Sequence, residues 1–302
     1  MQRTPIEWCD YSSNPIYAVR KDTGKRGWAC TRVSSGCQHC YAEAINKRLG
    51  TNLPYDTRSK KQVEYRLNDR ELDALRKVSQ PCRIFVGDML DLFHADISDL
   101  ILNRLFDALE TPFKATIILL TKRPERMAHY LRKRWTYGYQ PQFIWGGTSI
   151  EDQPAADVRI PMLRRVPVAV RFLSVEPLLE QVHLALDPGM EVSRGIHWVI
   201  VGGESGAQAR PMHPSWARSL RDQCLSANVP VFFKQIGEWT WHDDPYVPGA
   251  ETRVLFRDGS MSAYPCDYDP IDWARRGACL VRRVGKKRAG RLLDGLEWNQ
   301  WP

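Results

Sequence analysis

No apolar run in the 302 residues approaches the ~18 that a membrane-crossing helix needs. The opening residues, MQRTPIEWCDYSSNP, lack the apolar stretch of an export signal. The expectation is a cytoplasmic protein with no membrane partner. Cysteine is scarce. Eight residues, Cys9, Cys30, Cys37, Cys40, Cys82, Cys224, Cys266 and Cys279, are too few for a disulfide scaffold at this length. Compositional bias is also absent: 43% apolar and 26% charged residues exclude a disordered chain. A chain of this size buries about three quarters of its surface and builds a core without cross-links. Acidic residues are outnumbered, 35 against 43 Lys and Arg, and the resulting +8 favours an anionic partner.

From about residue 80 onward short apolar runs recur every 26 to 33 residues: RIFVG (83–87), TIILLT (116–121), FIWGG (143–147), RFLSV (171–175), HWVIVGG (197–203) and VPVFFK (229–234). Such continuous runs suit parallel strands buried on both faces. Helical patterns fit between them at 97–110, after Pro124, and at 213–227. Upstream, EWCDY (7–11) reads as a first strand, and YAEAINKRLG (41–50) as a helix closed by Gly50. Residues 68–79 read as a second helix, with Asn68 as N-cap and Glu71 completing a capping box. The βαβα rhythm predicts an α/β fold: a single (β/α) TIM-like or partial barrel of parallel strands over 1–237. An open doubly wound sheet is the runner-up. Residues 238–302 read as an appendage packed on the barrel. They hold a TRVLF–RDGS–MSAY hairpin and a basic cluster of Arg282, Arg283, Lys286, Lys287, Arg288 and Arg291. That cluster is a solvated face or a phosphate contact.

Three cysteines crowd into residues 30–40 with the spacing C-x6-C-x2-C. Soft thiolates on one loop suit three irons of a [4Fe–4S] cluster, leaving the fourth iron open to a small molecule. A structural zinc site needs four ligands, and His39 is the adjacent candidate. Three unrelated buried thiols are the bland alternative.

A cysteine loop after a first strand, at the start of a parallel barrel, resembles the radical S-adenosylmethionine (SAM) superfamily. That superfamily usually spaces its cysteines C-x3-C-x2-C, with an aromatic before the third. Here the first gap is six residues and His39 holds the aromatic position. A closer resemblance is to the phage Gp37/Gp68-like family (DUF5131-type), a radical-SAM-like family of unknown function. It rests on the Gly36-Cys-Gln-His-Cys-Tyr-Ala-Glu43 run and on the stretches 85–94, 120–126, 172–179, 201–206, 232–235 and 289–295.

Each predicted strand ends in polar or glycine residues, where a parallel barrel builds its site. The resemblance implies that Cys30, Cys37 and Cys40 hold the cluster and that strand ends hold SAM. Gly87 and Asp88 would meet its amine, Lys122 or Arg123 its carboxylate, and Ser149 and Glu151 its ribose; Met89, Gly202 and Gly203 complete the cofactor set. Glu176, Glu204 and Lys234 are the catalytic candidates. Arg123, Arg126, Arg210 and Gln235 are the substrate candidates. Each has a plainer reading: Gly202-Gly203 as a tight turn, Glu151 as a helix opening, Asp88 as a cap, Arg123 and Arg126 as a solvated helix start. Asp91 and His94 lie three apart, with His94 more simply structural.

The implied function is a radical SAM enzyme. It would cleave SAM reductively to a 5′-deoxyadenosyl radical and abstract hydrogen from an anionic substrate, a nucleotide or phage DNA base in a modification or rearrangement pathway. An electron donor such as flavodoxin or ferredoxin is the implied partner, and the host cytoplasm the location if phage-encoded. The alternative is a zinc-stabilised nucleic-acid-binding protein without catalysis.

Overall fold

The computed structural model describes residues 1–110, 114–136, 138–186, 195–241, 247–264 and 270–302. Cys266 and residues 242–246 of the turn-rich segment lie outside them. All six apolar runs form strands: Arg83–Val86, Thr116–Thr121, Ile144–Ser149, Val170–Val175, Trp198–Gly202 and Val231–Gln235. Their interiors are sealed, as unbroken apolar runs require. Ile84, Ile117, Ile118, Phe172, Val199 and Ile200 expose none of their surface.

These strands form an eight-stranded, mostly parallel sheet in chain order, preceded at one edge by Gln2–Arg3 and Tyr11–Ser13. Eight α-helices accompany it among the described residues. Among the described residues the sheet shows no closure into a barrel; its strand order runs from one edge to the other. The order also never reverses, so the sheet lacks the switch point of a doubly wound fold. The first parallel strand is Tyr11–Ser13 rather than residues 7–11.

The chain divides into two compact units. The first comprises Met1–Ser149 and Pro161–Phe172. Here Gly147 is required by packing, since ring atoms of Phe172 stand 2.5–2.6 Å from where its Cβ would be. A small antiparallel sheet of Arg26–Gly27, Ile16–Arg20 and Val63–Leu67 carries the approach to the cysteine loop. Helix Tyr41–Leu49 follows that loop at once and ends at Gly50. Asn68 stands at the N-cap of Asp69–Arg76, but its side chain makes no capping bond. Glu71 instead accepts from Ser13 Oγ at 2.6 Å.

The second unit comprises Ile150–Ile160 and Leu173–Pro302. Helix Pro214–Ser226 starts on His213, whose ring accepts from Ser215 N at 3.1 Å. The expected hairpin is present: Thr252–Leu255 pairs antiparallel with Met261–Ala263. It joins Cys279–Arg283 and Trp239–Thr240 in a four-stranded sheet around Trp239, Leu255 and Val281.

Candidate functional site

The cysteine loop of the first unit is stitched by polar side chains. Cys30 and Cys40 pack against Ala42, Tyr55 and Met89. Burial pushes the Cys30 thiol up to about 11, reinforced by the charge of Asp91 and opposed by Arg123. Burial also raises the Cys40 thiol, opposed by the backbone N–H groups of Glu43 and Ala42. Those two groups belong to the first turn of Tyr41–Leu49, for which Cys40 is the N-cap. A helix start thus favours negative charge on that sulfur. Cys37 is half-buried, with Ser34 Oγ at 3.8 Å. Arg32 donates to Glu43 at 2.7–3.1 Å.

The loop is tied to the ends of the neighbouring strands. Asp91 accepts from Thr121 Oγ1 at 2.6 Å, Phe93 N at 3.0 Å, Lys122 N at 3.1 Å and Arg123 Nη1 at 2.6 Å. Arg123 also reaches Thr31, beside Cys30, at 2.8 Å on the hydroxyl and 3.2 Å on the carbonyl. His94 Nδ1 accepts from Asp96 N at 3.2 Å, so its proton sits on Nε2 and is donated to Thr31 Oγ1 at 3.0 Å. Burial and then Arg123 lower His94 to about 4, so the ring is neutral at pH 7. Two tyrosines hold the turn after Arg83–Val86: Tyr41 donates to the Asp88 carbonyl at 2.6 Å and Tyr55 to the Met89 carbonyl at 2.7 Å. Asp88 is half-buried; desolvation raises its carboxyl, which accepts from Asn14. Gly87 has φ +87, and a Cβ there would meet Leu92 at 2.6 Å.

The donor set fits a thiolate-bound iron centre in kind. Cys30, Cys37 and Cys40 are free thiols, partly buried, with a helix start behind one and a guanidinium near another. Among the described residues no group of three Cys, His, Asp or Glu side chains is drawn together closely enough to hold a metal ion.

The second unit carries a different cluster at the ends of its last strands. Glu176 Oε2 accepts from Ser174 Oγ at 3.2 Å, and Lys234 Nζ lies 3.1 Å from Oε1. That contact is an ion pair without hydrogen-bond alignment, for Oε1 is buried and takes no hydrogen bond. Gly202 makes the room: a Cβ there would stand 2.5 Å from the same oxygen. Gln235 donates from Nε2 to the Gly203 carbonyl at 3.0 Å and to Ser205 Oγ at 2.9 Å.

A family model described as a protein of unknown function (DUF5131) matches residues 3–302. The chain belongs to this family. No curated protein and no solved structure matches it.

The remaining candidates of this DUF5131 chain are engaged within the fold. Glu204 takes three bonds from Arg210: Nε at 2.8 Å, Nη2 at 2.6 Å and the backbone N at 2.8 Å. Glu151 is fully buried and paired with Arg159 Nη1 at 2.7 Å. Arg126 donates to the His94 and Ile97 carbonyls. Ser149 is buried at the end of its strand. In the first unit the structure brings Cys30 together with Arg123 and Asp91, and Thr31 together with Arg123 and His94. In the second it brings Glu176 together with Lys234, Gly202 and Ser174. Sequence reasoning missed Thr31, Tyr41, Tyr55, Asn14 and Ser174. Tyr41 carried a signal, its place directly after Cys40; Tyr55 carried none.

Proposed function

We propose that this DUF5131 chain is a radical SAM enzyme of phage Gp37/Gp68 type, acting on an anionic substrate of the nucleotide or DNA-base class. The observation that carries the reading is the loop of three free thiols abutting a helix start, laced to strand ends by Asp91, Arg123 and Thr31. The in-order parallel strands agree with a partial barrel. Cys30, Cys37 and Cys40 would hold the cluster. When bound, the cluster and SAM would supply one electron and a 5′-deoxyadenosyl radical that takes hydrogen from carbon. The chain's own residues bind, orient and neutralise. Arg123 places positive charge beside Cys30, which offsets the charge of a thiolate set. Tyr41 and Tyr55 fix the carbonyls of Asp88 and Met89, so the Gly87–Met89 turn is held rigid for a cofactor amine. Neutral His94 positions Thr31 and carries no charge into the site.

The test uses anaerobically purified, iron–sulfur-reconstituted full chain with SAM and dithionite. 5′-Deoxyadenosine is expected, and Cys37→Ala abolishes it. A colourless protein holding one zinc, with no product, overturns the enzyme and leaves the nucleic-acid-binding reading.

A further inference from the structure

Parallel pairing of Trp198–Gly202 with Val231–Gln235 is regular up to Val201 opposite Phe233. The next pair is Gly202 opposite Gln235, so Lys234 has no counterpart. Such a bulge interrupts the pleat and re-aims a side chain. Residues directly opposed in a parallel pair share a face, so Gln235 lies on the face toward which a Gly202 Cβ would point. That is the face where Glu176 sits, and Lys234 reaches it as well. The bulge therefore gathers Glu176, Lys234 and Gln235 at one strand end.

Two oxygens in this cluster are buried and take no aligned hydrogen bond, although Lys234 Nζ stands 3.1 Å from one of them. Glu176 Oε1 is buried without a hydrogen bond, and so is Gln235 Oε1. The amide of Gln235 has no better orientation: the Gly203 carbonyl only accepts, so Nε2 must face it and Oε1 must face away. Buried acceptors left unmade are costly, and each such pair invites a ligand that donates. Lys234 meets Glu176 only as an ion pair and has N–H donors to give. Charge narrows the ligand further. Glu176 and Lys234 sum to zero, so a charged group here would stand uncompensated in a half-buried site. The complementary ligand is neutral, with two N–H donors beside one carbonyl.

We propose that Glu176, Lys234 and Gln235 form a binding site for a guanine-type lactam edge. Lys234 donates to the ring carbonyl. Glu176 Oε1 and Gln235 Oε1 accept from the ring N–H and the exocyclic amino group. An edge lacking the amino group fills one acceptor fewer. An edge methylated at the ring nitrogen fills only the other. This goes beyond the radical SAM reading and needs neither iron nor SAM, so each idea can fail while the other stands.

The test is calorimetric titration of the iron-free full chain with guanosine, inosine and N1-methylguanosine 5′-monophosphates. The phosphate is common to all three, so only the base edge differs. Guanosine monophosphate is expected to bind tightest, with the others weaker by about tenfold each. Gln235→Leu is expected to erase the preference for guanosine over inosine, the amino group having lost its acceptor. Glu176→Gln is expected to weaken guanosine monophosphate by about tenfold, with folding checked by circular dichroism. If neither variant folds, the three-ligand ranking on the wild-type chain decides alone. Equal binding of the three, or no binding up to about 1 mM (roughly −4 kcal/mol), overturns the proposal and assigns the two oxygens to water.

Discussion

Gly202 acts through the side chain it lacks. Its Cβ would lie 2.5 Å from Glu176 Oε1, so Gly202→Ala must displace the carboxylate or the strand. A loss of about 1–3 kcal/mol is expected, as for other overpacked positions, and urea unfolding measures it. Glycine alone permits the Glu176–Lys234 pair, a relation the sequence hides, since these residues are 26 and 32 positions from Gly202. His94 yields a pH prediction. Burial and Arg123 hold its folded pKa at about 4, below the ordinary 6.5 of a histidine. Below pH 6.5 the unfolded chain binds a proton that the folded chain refuses. Stability from this residue is thus complete above about pH 6.5, falls as pH drops, and is lost below about pH 4. In His94→Gln, a plot of stability against pH should be flatter across that window. An unchanged slope would show that His94 titrates normally in the fold.

At the scale of elements, Glu151 shows why a strand-end carboxylate misleads. It follows Ile144–Ser149, where a ribose contact was expected, but it pairs with Arg159 in the following helix at 2.7 Å, both groups buried. The partner lies eight residues on, outside the three- and four-residue spacings that read as neighbours on a helix. Glu151→Gln should cost about 3–5 kcal/mol, because it removes the negative charge that compensates the buried Arg159 guanidinium. The double variant Glu151→Gln/Arg159→Met should recover much of that, and thermal unfolding of both reports the coupling. Strands were readable wherever burial on both faces made the run continuous, as in TIILLT. Tyr11–Ser13 was misplaced because its three residues are too short and polar to show a pattern. The small sheet of Arg26–Gly27, Ile16–Arg20 and Val63–Leu67 was missed because its longer pairing joins Ile16 to Leu67 and Arg20 to Val63, far apart in the chain. The Asn68 capping box was legible as a pattern, but Glu71 found Ser13 instead.

For the whole molecule, periodicity foretold the parallel strands and their sequence order but not whether the sheet would close. Closure depends on tilt and stagger, which residue spacing does not encode. The same holds at the cysteine loop: spacing named the three thiols, while folding decided that Asp91, Arg123 and Thr31 brace them. This bracing leads to a prediction for metal removal. A cluster that binds the folded loop and not the unfolded chain stabilises the fold by mass action. At a hundredfold excess over its dissociation constant the gain is about 2.7 kcal/mol, or roughly 5 °C in melting temperature for a chain of this length. Iron–sulfur reconstitution should raise the melting temperature by about that much, and chelation should reverse it. Cys37 makes the sharpest control. It is half-buried and has Ser34 Oγ at 3.8 Å, a weak contact, so Cys37→Ala should scarcely alter the apo protein. The variant should nevertheless lose the whole iron-dependent rise. A rise that survives in Cys37→Ala would remove this thiol from the ligand set, and with it the three-cysteine reading of the loop.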